Sequence, residues 1–279
     1  MSSRNLLVVD DDPAVLELLT STLGRDGRHV VGASDGHTAL DEMERSPYDL
    51  LVAGLSRNGM DGLALMRRAR LIRPETPVIL TAEKADPARV LRAMRERAYS
   101  YFHKPLPPGA VSDMVQQALA ASDWQNDIEV VSARPEWVAL SLRCKMEACD
   151  RAVQFLREVY TGIPVPVRED IAAALRELLM NAIEHGGHQD PSNVVRVGLV
   201  HMQRIFIGRV QDPGTGFSLE AMPHAAIGNP PGSPIQHVEV RAEQGQRPGG
   251  FGILITRSLV DDLLYSERGN EVLFVKHLA

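Results

Sequence analysis

RELLMNAIEHGG, residues 176–187, closes a helical pattern in which Ile171, Ala174, Leu175, Leu178, Leu179, Ala182 and Ile183 recur at three- and four-residue steps. Glu177, Asn181 and His185 are each four apart, so in a continuous α-helix they stack on one face. Downstream stand two glycine-bearing turns, DPGTGF at 212–217 and RPGGFG at 247–252. The second runs into an apolar segment, ILITRSLVDDLL, read as a helix over 253–264. A helical carboxylate–amide pair, an aspartate before a glycine turn and a glycine-rich loop opening a helix are the parts of a nucleotide site.

Outward from this stretch, IEVVSA and WVALSLRC have strand character, with Pro135 at the turn between them. MEACDRAVQFLREVY follows as an amphipathic helix, and Pro164 and Pro166 mark the loop before the next one. NVVRVGLVHMQ and RIFIGRVQD read as a strand pair ending at Asp212, and GNEVLFVKHL as a last strand. Strands in runs with helices packed to one side predict an α/β sandwich, one mixed or antiparallel sheet under a helical layer.

The first half alternates differently. NLLVVD at 5–10 is a short apolar run of the kind buried in a parallel sheet, and it ends in Asp10, Asp11 and Asp12 before Pro13. Apolar segments then alternate with helical ones up to PGAVSDMVQQALAA. Five strand–helix units predict a doubly wound α/β domain with a five-stranded parallel sheet, whose ligand crevice lies at the carboxyl ends of the strands. The pattern breaks at ASDWQND, 121–127, giving domains at 1–123 and 127–279.

A chain of 279 residues has room for two such cores. A net charge of −6 offers no basic footprint, which argues against a nucleic-acid partner. Cys144 and Cys149 are spaced neither as a zinc pair nor as a disulfide framework, and are expected as buried thiols in a reducing cytoplasm. No apolar run reaches the roughly 20 residues that span a bilayer, and no signal-peptide pattern opens the chain, so a cytoplasmic location is expected.

ELLMNAIEH, DPGTGF and GGFGILI, in this order, resemble the ATP-binding domain shared by histidine kinases, DNA gyrase and the MutL proteins. GFGILITRSLVDDLLYSERGNEVLFVKHL is similar to the ending of the bacterial anti-sigma-factor serine kinases, and the resemblance covers about 127–279. Singly, each motif is an ordinary turn or a solvated helix face; their order joins them.

The resemblance implies that Asn181 ligates magnesium through its amide oxygen and that Glu177 takes the proton of an incoming hydroxyl. It further implies that Asp212 accepts a hydrogen bond from the adenine amino group, with Gly214 and Gly216 letting the backbone approach the base. Gly249, Gly250 and Gly252 would offer backbone N–H groups to phosphate at a helix start, under a lid spanning 217–248. His185 either faces the nucleotide edge or caps the helix before Gly186. Two departures stand out: Asn270-Glu271 where related domains often have a threonine, and no histidine-bearing dimerisation helix.

Residues 4–121 resemble the receiver domain of bacterial response regulators. Asp10 and Asp11 match its magnesium-binding acids, Thr81 its hydroxyl residue, Tyr101 its aromatic and Lys104-Pro105 its lysine–proline, while MDG at 60–62 matches a tripeptide of the family. Gly54 stands where the family carries its phosphate-accepting aspartate, and glycine cannot form an acyl phosphate. Neither Asp49 nor Asp61 is placed to replace it. Asp10 and Asp11 then either hold magnesium weakly or form a structural ion cluster with Lys104.

The expectation is therefore a signalling regulator: a receiver not switched by phosphorylation, joined to an Mg-ATP-dependent serine kinase acting on an anti-sigma-factor antagonist. A sigma factor as a further partner and a homodimer of unassigned interface follow from the same resemblances; 85–121 is the segment through which receivers of this family usually pair. The rival is a non-catalytic ATP binder that sequesters a partner. A third reading, an ATPase of the gyrase or MutL kind, lacks the additional domains of those proteins.

Overall fold

The computed structural model describes residues 4–25, 27–55, 59–216 and 251–278. The chain divides into two compact units, Met1–Gln125 and Asn126–Ala279.

In the first unit, β1 (Asn5–Val9), β2 (His29–Ala33), β3 (Leu50–Leu55), β4 (Val78–Ala82) and β5 (Ser100–His103) form one parallel sheet in the order β2-β1-β3-β4-β5. The central strands β1 and β4 are buried on both faces, as their unbroken apolar runs require. Helices α1 (Pro13–Leu23), α2 (Gly36–Arg45), α3 (Gly62–Ile72) and α4 (Pro87–Arg95) connect them, and α5 (Pro108–Ala120) follows β5. Three helix starts are written locally: Asp12, Asp35 and Asp86 each accept a hydrogen bond from a first-turn backbone N–H, and Pro13 and Pro87 open their helices with a preset φ. Trp124 closes the core beneath α5, packed edge-on against Tyr99 with ring centroids 5.3 Å apart.

The second unit is a six-stranded sheet in the order β10-β11-β9-β8-β7-β6, antiparallel at every pairing. Its strands are β6 (Ile128–Arg134), β7 (Trp137–Arg143), β8 (Val194–Met202), β9 (Ile205–Gln211), β10 (Asp262–Tyr265) and β11 (Glu271–His277). Helices α6 (Met146–Val159), α7 (Val165–Asn181) and α8 (Gly252–Leu259) make the helical layer. Strict alternation along β7 buries Val138, Leu140 and Leu142, and β8 does the same with Val195, Val197 and Leu199. Phe206 and Phe274 stack at 6.1 Å in the core, with Tyr160 edge-on to Phe206 at 5.0 Å. Gly208 makes room for this pair, since a Cβ there would run into the Phe274 ring. Together the units are α/β: a doubly wound parallel sheet, then an α/β sandwich with an antiparallel sheet.

One expected element changes. The helix read over 253–264 ends at Leu259, and DLLY becomes β10. The segment pairs with β11 in the register Leu263↔Phe274 and Leu264↔Leu273. Asp261 fixes the break: its N–H donates to Val275 O at 2.9 Å and its carboxylate accepts from the His277 N–H. Ladder pairing at a sheet edge outweighs a helical pattern of only two further leucines.

Candidate functional site

Helix α7 carries Glu177 and Asn181 on its last turns, both half-buried. The helix then widens into a π turn, Ala182–Gly186, closed by a 2.8 Å bond from Gly187 N–H to Ala182 O. His185 lies within this turn and is exposed. The turn ends at Gly187, where an added Cβ would run into the Cys144 thiol.

Gly252, the first residue of α8, lies against the same two side chains. A Cβ on it would sit 2.8 Å from Glu177 Oε2, 3.5 Å from Asn181 Nδ2 and 3.8 Å from Asn181 Oδ1. The carboxylate–amide pair and the N-terminus of α8 therefore meet at one place. Thr256 is fully buried and its hydroxyl donates to Gly252 O at 2.9 Å, tying that first turn down. Among the described residues no side chain caps α8, and a helix N-terminus is a place where backbone N–H groups can meet an anion.

Asp212 follows β9, and its Oδ1 accepts from Gly214 N–H at 2.7 Å, an Asx turn that aims the carboxylate. Gly186 leaves room for this carboxylate, because a Cβ on Gly186 would run into it. The end of α7 and the Asp212 turn are thus in direct contact. Gly214 lies against both: a Cβ there would be 2.8 Å from Asp212 Oδ1 and 3.0 Å from Gly186 Cα. Gly216 takes the left-handed conformation, φ 86°, against the Arg268 carbonyl. Burial raises the Asp212 carboxyl above the ordinary aspartate range, against the Gly214 N–H and the Arg268 charge, which lower it.

Glu177, Asn181, Gly252, Asp212, Gly214 and Gly216 are therefore brought into one region, with His185 at its exposed edge. Gly249, Gly250 and the 217–248 segment lie outside the described residues. The residues fit Mg-ATP: an amide oxygen for the cation, uncapped amides for phosphate and a carboxylate set to accept from an amino group. Among the described residues no cluster of three or more His, Cys, Asp or Glu is placed to hold a metal by itself, so a cation here would rely on Asn181 and on oxygens of the nucleotide. The contacts of Gly186 with Asp212 and of Arg268 with Gly216 join segments far apart in the chain, which local spacing does not signal.

In the first unit, Asp10 is buried at the end of β1, while Asp11 is exposed. Asp10 Oδ1 accepts from Asp12 N–H and from Lys104 Nζ, each at 3.0 Å, and Lys104 also reaches Glu83 at 2.6 Å. Gly54 faces this cluster: a Cβ on it would lie 2.8 Å from Asp10 Oδ2, an oxygen buried without a hydrogen-bond partner. Thr81, paired with Gly54 across β3 and β4, is buried with its hydroxyl likewise unpartnered. Asp49 is held at the far end of the sheet by Arg4 and the Asn5 N–H, both at 2.8 Å, and Asp61 stands at the start of α3. Among the described residues no helix is long and apolar enough to cross a membrane.

Two family models match. Residues 6–116 match the response regulator receiver domain, and residues 142–276 match the histidine kinase-like ATPase domain. The chain is 28% identical over 148 residues to the transcriptional regulatory protein GlrR of Escherichia coli, covering 52% of this chain and 33% of that protein. It is 29% identical over 240 residues to the alkaline phosphatase synthesis transcriptional regulatory protein PhoP of Bacillus subtilis, covering 78% and 97%. Among solved structures, a CheY-like receiver domain protein from Methanospirillum hungatei aligns with TM-score 0.41 and 24% identity, over 43% of this chain and 95% of that one. The chain spans about a third of the length of the first curated relatives it matches. Its two units carry, in order, a response regulator receiver domain and a histidine kinase-like ATPase domain, the make-up of a bacterial signalling regulator.

Proposed function

We propose that the second domain binds Mg-ATP and transfers the γ-phosphoryl group to a serine of an anti-sigma-factor antagonist. The observation that carries this is the meeting of Glu177 and Asn181 with Gly252 at the start of α8. It supports reading Glu177 as a general base, Asn181 as a neutral oxygen ligand and the start of α8 as a phosphate contact. A magnesium ion held by Asn181 would supply charge neutralisation at the phosphates. Asn181 would hold the cation through Oδ1, Asp212 would orient the base through its carboxylate, and Glu177 would take the serine proton. General-base assistance of that kind is worth about 10² to 10⁴ in rate.

The receiver domain is read as a docking surface, not switched by phosphorylation. Gly54 supplies no acceptor, and Lys104 already neutralises Asp10. A sigma factor held by the second domain and a homodimer complete this reading.

Titrating the full-length chain with Mg-ATP tests the site, with Asn181→Ala expected to weaken binding in magnesium and to have much less effect without it. In labelled-phosphate transfer to candidate antagonists, Glu177→Ala is expected to bind ATP normally and transfer about 10² to 10⁴ times more slowly. Normal transfer by Glu177→Ala removes the base assignment. A second reading, ATP as a non-transferred structural ligand, corresponds to tight binding with no transfer by the parent chain.

A further inference from the structure

The Asp212–Gly216 turn does not hold itself. Its two ends are fastened to the turn between β10 and β11. Asp212 N–H donates to Asn270 O at 3.0 Å, and Asn270 Nδ2 returns a bond to Asp212 O at 3.4 Å. At the other end, Arg268 Nε donates to Thr215 O at 3.2 Å, and the Arg268 carbonyl lies where a Cβ of Gly216 would be. The β10–β11 turn is itself tight: Gly269 takes φ 78°, its N–H donates to Ser266 O and Ser266 N–H donates to Glu271 O, both at 2.9 Å. Arg209, another guanidinium on this part of the sheet, is committed to Glu271 in a two-pronged pair at 2.6 and 2.8 Å. Among the described residues, Arg268 is the guanidinium that bonds to the turn.

We infer that Arg268 and Asn270 are positioning residues for base selection, holding the Asp212 carboxylate where it accepts from a 6-amino group and rejects a 6-oxo group. This rests on the ATP reading of the site and adds to it the device that sets its purine preference. The positive charge of Arg268 also favours the ionised form of Asp212, which is the form that accepts without donating. A carboxylate facing the carbonyl of a 6-oxopurine meets an acceptor with an acceptor, so orientation of this one group decides between the two bases. A turn left to swivel would keep the carboxylate and lose the discrimination.

The test uses the full-length chain and calorimetric titration with Mg-ATP, Mg-GTP and magnesium tripolyphosphate. The parent chain is expected to prefer ATP to GTP. Arg268→Ala is expected to bind ATP about tenfold more weakly, the worth of one charge-assisted contact, with tripolyphosphate affinity unchanged. Arg268→Lys, which keeps a donor and the charge, is expected to recover most of the loss, and Asn270→Ala to lose about threefold through its weaker bond. Thermal melting of each variant shows whether it is folded as the parent is. An Arg268→Ala chain that keeps the parent's ATP-to-GTP ratio overturns the inference and leaves the ATP site standing. Equal losses of ATP and tripolyphosphate in that variant also overturn it, since the residue would then support the whole site. A parent chain that binds none of the three overturns the ATP reading and the inference with it.

Discussion

Placing a carboxylate at position 54, Gly54→Asp, is expected to destabilise the receiver domain in the absence of divalent cation. The new Cβ would start 2.8 Å from Asp10 Oδ2 and 3.1 Å from Val9 O, so its carboxylate has to settle on the order of 4 Å from that of Asp10. Two carboxylates at that distance repel by about 4 kcal/mol at an effective dielectric constant of about 20. Lys104, 3.0 Å from Asp10, offsets part of this, leaving roughly 2–3 kcal/mol. For a domain of this size that is a fall of about 1–2 M in the urea midpoint. Trp124 is the reporter, because it is buried against Tyr99 in this domain, whereas Trp137 is 58% exposed on the other. Magnesium at millimolar concentration is expected to recover much of the loss in Gly54→Asp, since a divalent cation offsets the repulsion between the paired carboxylates, and to leave the parent midpoint unmoved. A Gly54→Asp chain as stable as the parent in EDTA, or a parent stabilised by magnesium as strongly as the variant, refutes the reasoning.

Phe274→Ala empties a fully buried ring position beside Phe206 and is expected to cost about 3–5 kcal/mol of stability in the ATPase-type domain, read by chemical unfolding. Burial pushes the Cys144 thiol up to about 11 and Cys149 up to about 12, so neither is expected to react with iodoacetamide at neutral pH until urea is added; rapid native labelling contradicts their burial. The raised Asp212 carboxyl protonates at a higher pH than an ordinary aspartate. On acidification the folded state therefore takes up that proton before the unfolded chain does, so this group favours folding as pH falls, while ATP affinity declines over the same window as the acceptor is lost. An ATP affinity flat through that window, measured by titration at a series of pH values, contradicts the role given to Asp212.

Much of this architecture is legible in local chemistry. Apolar runs such as NLLVV, the Asp–Pro helix openings and the alternation of WVALSLR specify strands and helices before any partner is known. The limits lie where distant segments decide. DLLY continues a helical pattern in sequence, yet β11 takes it into the sheet through the Asp261 contacts. The π turn after Asn181, Ala182–Gly186, is a local widening that regular three- and four-residue spacing does not announce. The approach of Gly186 to Asp212, and of Arg268 to Gly216, joins residues far apart in the chain and leaves no periodic trace. Gly54 is the opposite case: the residue type alone excludes an acyl phosphate there, and the structure adds that its side is turned to Asp10.

The central claim is phosphoryl transfer from the site formed by Glu177, Asn181 and Gly252. Full-length chain mixed with γ-labelled ATP, magnesium and candidate antagonist proteins, beside an Asn181→Ala control, tests it most directly. The account predicts label on a serine of one antagonist and none in the control. ATP bound with no label passed to any of them contradicts the kinase.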